Sequence, residues 1–104
     1  MRKVRAGSIS EISPEKPLIY RERCCEVVVF ETSEGYFAVE NRCPHVGARL
    51  HQGIVEGNDL TCIWHGWKFD LKSGQCYNEY WASLKKYPIE IDGDNLYIWL
   101  DEKE

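Results

Sequence analysis

Cys43-Pro44-His45 is answered, after a gap of sixteen residues, by Cys62-Ile63-Trp64-His65. Any fold open to this chain must bring those two short stretches to one place, because together they offer two thiolates and two imidazoles. That is a complete tetradentate set for a metal centre, clamped from two sides by separate loops. The chemistries compatible with it are zinc and iron-sulfur.

Spacing bears on the choice. Zinc modules usually pair like ligands in each half, Cys-x2-Cys with His-x3-His, so that each half closes one tight chelate turn. Here each half offers one Cys and one His. The split suits a binuclear cluster in which each loop reaches both irons, sulfur to one and nitrogen to the other. Cys-Pro-His, sixteen residues, then Cys-x2-His-Gly-Trp resembles the Rieske 2Fe-2S family, in particular its low-potential, soluble, oxygenase-associated ferredoxins. The match runs over about 41–74, and the length and strand-rich flanks extend it over most of the chain.

The resemblance implies one 2Fe-2S cluster, with Cys43 and Cys62 on one ferric ion and His45 and His65 on the other, the imidazoles facing solvent. Two ferric ions, two sulfides and two thiolates sum to zero charge when both imidazoles are neutral. An electron is therefore added more easily than to a four-thiolate centre, which places such clusters at roughly -150 to +300 mV. High-potential relatives carry an extra cysteine in each loop, joined by a disulfide; the corresponding positions here hold Ala48 and Trp64, so that bond cannot form. Those relatives also place a serine and a tyrosine where this chain has Trp67 and Phe69. Neither of these donates a hydroxyl to a cluster sulfur, so the potential is expected in the lower part of the range.

From the same resemblance follows the expected role: a soluble one-electron carrier that takes electrons from a flavin-dependent reductase and passes them to a terminal oxygenase. The 104 residues leave no room for the mononuclear-iron domain of a large oxygenase subunit. Two other roles are open, a tightly bound small subunit of a redox enzyme such as an assimilatory nitrite reductase, and a zinc-stabilised interaction module. No catalytic residues are expected, since Glu11, Glu15, Glu56, Asp59 and Glu79 show no paired spacing around a histidine or serine.

Composition agrees with a small carrier. A formal net charge of -4 argues against a nucleic-acid partner, which calls for a basic stripe. The N-terminus, Met1-Arg2-Lys3-Val4-Arg5, lacks an apolar targeting stretch, and the longest strongly apolar run, 27–30, is strand-sized. A cytoplasmic monomer with no membrane contact is expected. Cys24, Cys25 and Cys76 lie outside the ligand pattern; an odd number of spare thiols fits a reducing compartment. Cys25 reads as a buried strand thiol alternating with Val27 and Val29, Cys76 as core, and the third histidine, His51, as an exposed, solvated residue.

Periodicity reads strand, turn, strand throughout, with no helical stripe. The candidate strands are 3–6, 18–23, 25–31, 36–40, 59–62, 68–70, 75–77, 87–91 and 96–100. Ser33-Glu34-Gly35, Glu56-Gly57-Asn58, Lys72-Ser73-Gly74 and Asp92-Gly93-Asp94-Asn95 are turn chemistry. The predicted class is all-β, a single domain over 1–104: an antiparallel sandwich or partial barrel as base, with a small cluster-binding lobe at about 41–74 inserted in it. Gly47 and Gly66 are expected where a loop needs its backbone close to the cluster. Trp64, Trp67 and Phe69 are expected to shield it from water. Ile63 stands where the family often has a proline.

Overall fold

The computed structural model describes residues 1–22, 25–44, 49–63 and 66–101. Among the described residues ten strands follow one another: β1 (Arg2–Ser8), β2 (Leu18–Arg21), β3 (Glu26–Thr32), β4 (Gly35–Glu40), β5 (Ile54–Glu56), β6 (Asp59–Thr61), β7 (Lys68–Asp70), β8 (Lys86–Tyr87), β9 (Ile89–Asp92) and β10 (Asn95–Leu100). They form three antiparallel sheets, ordered β1-β10-β9, β2-β3-β4-β8 and β5-β6-β7. The all-β expectation holds; the described helical residues are two single 3₁₀ turns, Ile9–Glu11 and Leu50–Gln52.

β3 explains the architecture. Its run Val27-Val28-Val29-Phe30 is buried throughout, and the pleat sends alternate side chains to opposite faces. Val27 and Val29 join Ala38, Tyr87, Leu96, Ile98 and Leu100 in the core between the middle sheet and β1-β10-β9. Val28 and Phe30 join Val39, Leu50, Leu60, Phe69 and Leu71 in a second core beneath β5-β6-β7. A strand covered on both faces reads as an unbroken apolar run instead of an alternation. The sheet of β2, β3, β4 and β8 is thus the middle layer, and the small sheet, whose β6 and β7 flank the second Cys-His pair, rests on it.

Several expected boundaries shift. The expected strand 87–91 divides at Pro88, which has no N–H to give to a ladder; Tyr87 pairs with Ala38 and Ile89 with Ile98, so the two halves serve different sheets. The expected strand 75–77 contributes only isolated bridges, Phe69 to Cys76 and Gln75 to Ser83. β5, three residues long, was too short to show a period. β2 ends at Arg21, and Cys25 precedes β3 and is half-buried rather than a buried strand thiol, because its carbonyl accepts the Glu22 N–H at 2.9 Å and closes the turn. Cys24, and with it any bond between Cys24 and Cys25, lies outside the described residues.

Candidate metal centre

The first ligand segment leaves the end of β4. Asn41 N–H donates to the Glu26 carbonyl (2.9 Å) and Arg42 N–H to the Glu40 carbonyl (2.8 Å), turning the chain inward so that Cys43 is 0% exposed. The second lies between β6 and β7, where Thr61 pairs with Lys68 and the Cys62 N–H donates to the Trp67 carbonyl at 2.8 Å. Cys62 is 1% exposed. Both thiols enter the same core, with Leu50, Leu60 and Phe69, and neither is in a disulfide.

Two cysteines presented by separate segments to one apolar core, and not bonded to each other, fit a centre that takes thiolates: a thiolate without a cation would be strongly penalised there. His45 and His65 lie outside the described residues, as do Val46, Gly47, Ala48 and Trp64. Among the described residues no three His, Cys, Asp or Glu side chains converge on a metal position. Cys76 shares this core, as expected of a packing thiol.

Around the cysteines the structure sorts the remaining expectations. Phe69 is wholly buried and Trp67 half-buried against the same core; Trp67 meets Trp81 edge to face, centroids 5.8 Å apart. At Gly66 φ is +68°, a left-handed conformation that favours glycine, and a Cβ there would meet no protein atom within 4 Å.

His51 corrects the sequence reading. It is half-buried in the 3₁₀ turn Leu50–Gln52, its N–H donates to Asn41 Oδ1 at 2.8 Å, and its Nδ1 lies 2.9 Å from Asn41 Nδ2. Asn41, only 3% exposed, also donates from Nδ2 to Glu26 Oε1 at 2.9 Å. Arg49 Nε donates to that same oxygen at 2.9 Å, and Arg21 Nε donates to Oε2. Burial pushes the Glu26 carboxyl up, but the hydrogen bonds from Arg21 and Arg49 outweigh it and hold the group below the usual carboxylate range. Sequence reasoning missed this network. Its bonds from Asn41 to His51 and Glu26 and from Arg49 to Glu26 span 10 to 23 positions, and the local signal for them was an Asn two residues before the first Cys-His pair.

The antiparallel β base and the small sheet on it thus bring two buried thiols from separate segments into one core. The Rieske [2Fe-2S] domain model matches residues 2–88, and the chain belongs to that family. With membership comes one 2Fe-2S cluster, which sets the zinc reading aside. The ferredoxin component of the naphthalene 1,2-dioxygenase system of Pseudomonas aeruginosa is 30% identical over 74 residues, covering 70% of this chain and 71% of that protein. The 4beta-methylsterol monooxygenase of Methylococcus capsulatus is 48% identical over 52 residues, but these are 49% of this chain and 14% of the monooxygenase. In structure, the chain is similar to the Sphingomonas yanoikuyae B1 ferredoxin: TM-score 0.86 at 24% identity, covering 96% of this chain and all of that one. At the level these findings set, the chain is a Rieske electron carrier. No helix among the described residues is long and apolar enough to cross a membrane.

Proposed function

We propose that Cys43 and Cys62 hold one iron of the cluster and His45 and His65 the other, and that the chain is a ferredoxin passing single electrons from a flavin-dependent reductase to a terminal oxygenase. The observation that carries this is the burial of Cys43 and Cys62 in one core, unbonded to each other, at the two places where the sequence pairs each with a histidine. When bound, the cluster takes up and returns one electron. The chain's own part is to desolvate the thiolates, to exclude water with Phe69 and Trp67, and to present His45 and His65 towards a partner. The relative of the naphthalene dioxygenase system supports an oxygenase as acceptor. Like the monomeric, cytoplasmic state and the absence of catalysis, the partners belong to this proposal.

Cys43→Ser and His65→Ala test the ligation. Each is expected to lose the visible spectrum and to fall below two irons per chain; an unchanged spectrum and iron content in either variant sinks the assignment. Docking is proposed at the tip formed by Pro44, Val46, Gly47 and the edges of His45 and His65, since electron transfer favours the shortest insulating gap. Weak redox encounters bury less than about 1,200 Å² in total. A charged substitution at Val46 is therefore expected to slow transfer to the oxygenase without changing the potential, and an unchanged rate moves the docking site elsewhere.

A further inference from the structure

The segment with the first Cys-His pair begins and ends on one carboxylate. Asn41 lies two residues before Cys43, and Arg49 four residues after His45. Both donate to the same Glu26 oxygen, each at 2.9 Å, from opposite ends of the segment. Glu26 is the first residue of β3, the strand on which both cores are built, and its side chain is 18% exposed. It is therefore tied to the most deeply packed element of the molecule.

Asn41 locks the arrangement. The backbone N–H of His51 can only donate, so the amide oxygen of Asn41 must face it, and the amide nitrogen is thereby aimed at Glu26 and at His51 Nδ1. With its own N–H on the Glu26 carbonyl, Asn41 uses every hydrogen it has. No apolar residue substitutes for it without leaving buried partners unsatisfied.

We propose that Glu26 and Asn41 are positioning residues that clamp the two ends of the first Cys-His segment, Asn41 and Arg49, to β3 and so set how tightly the cluster is held. The proposal rests on Cys43 and His45 being ligands. Groups that orient metal ligands without touching the metal commonly control affinity by about 10- to 100-fold. Here one carboxylate receives both ends of the segment, so losing it frees both side chains, whereas losing the Asn41 amide frees that end and its hold on His51.

The test uses the full-length holoprotein and two readouts, the rate of iron release to bathophenanthroline sulfonate and the electron-paramagnetic-resonance line width of the reduced cluster. Glu26→Gln and Asn41→Asp are each expected to speed release by about 10-fold or more and to broaden the signal. The first puts an amide among donors; the second sets two carboxylates face to face. Combined, they restore a donor–acceptor pair with its direction reversed, Gln to Asp, while Arg49 loses its acceptor, so the double variant is expected to recover part of the loss, as coupled neighbours do. Arg49→Met, at a side chain 60% exposed, decides the matter if the single variants do not fold: about 2- to 5-fold faster release is expected. Release at the wild-type rate in all variants overturns the clamp. So does equal acceleration in both single variants and the double, which marks general weakening. Full iron retention in Cys43→Ser is a different failure, of the ligand assignment beneath it.

Discussion

At Phe69 the side chain carries no hydroxyl, and this bears on the potential. The ring is wholly buried beside Cys43 and Cys62 in one core, and it has no donor to withdraw charge from a cluster sulfur. A midpoint of roughly -150 to -50 mV at pH 7 is therefore predicted, the lower part of the Rieske range. Phe69→Tyr should raise it by some tens of millivolts where the new hydroxyl reaches a cysteine sulfur; voltammetry of the wild type above about +100 mV would refute the low-potential prediction. Charge is also placed at residue scale beside the other core, against which Tyr20 packs. Arg2 Nη1 and the Tyr20 hydroxyl both donate to Glu22 Oε1, at 2.8 and 2.6 Å. The Arg2 hydrogen bond, and then that of Tyr20, hold the Glu22 carboxyl down from 4.5 to about 2. A depressed carboxylate stabilises the fold fully above its unfolded pKa and loses that contribution as pH falls, here between 4.5 and about 2. Tyr20 works at the other limb: burial, then the bond to Glu22, raises its hydroxyl from 10.0 to about 12, so its contribution fades as pH rises through that interval. Glu22→Gln should flatten the acid limb of a denaturation-versus-pH profile in its window, and an unchanged limb assigns acid sensitivity to other carboxylates.

Among the elements, turns and strand ends carry the information that periodicity could not. Gly74, after β7, has φ +84°, and a Cβ there would approach the Leu84 carbonyl oxygen to 2.8 Å, a backbone atom with nowhere to go. Its own N–H donates to Asp70 and its carbonyl accepts from Leu84, so the residue ties two segments together. Gly57, at φ +62°, has open space around the same position. Gly57→Ala should cost about 1–2 kcal/mol, the conformational penalty alone. Gly74→Ala should cost more, since the clash adds to it, as read from urea midpoints at constant m; equal midpoints would show that the turn relaxes around Leu84. The turn chemistry at 33–35, 56–58, 72–74 and 92–95 was legible because each turn depends on its own few residues. The division at Pro88 was half legible: a proline interrupts a ladder, but which sheet receives each half depends on partners far along the chain.

For the whole molecule, the two cores differ in their dependence on the cluster. The core of Val27, Val29, Leu96, Ile98 and Leu100 contains neither Cys43 nor Cys62, whereas the core of Val28, Phe30, Leu60 and Phe69 contains both. Chelating the iron is therefore predicted to leave β-type circular dichroism while the region 42–67 becomes the first to be cut by protease; loss of all secondary structure on chelation would make the base dependent on the metal. The sequence by itself determined the all-β class, the turns and the two Cys-His pairs, because those depend on local period, local dihedral preference and spacing. It also determined the family, since the motif is a short-range pattern of ligand types. Only the tertiary structure decided that β3 is shared by two cores, that Cys43 and Cys62 enter the same one, and that His51, which reads as a lone solvated side chain, is bonded to Asn41. The physical reason is the same in each case. Burial and side-chain hydrogen bonding depend on which distant segments are packed together, and the separation along the chain from Glu26 to Asn41, Arg49 and His51 leaves no periodic trace.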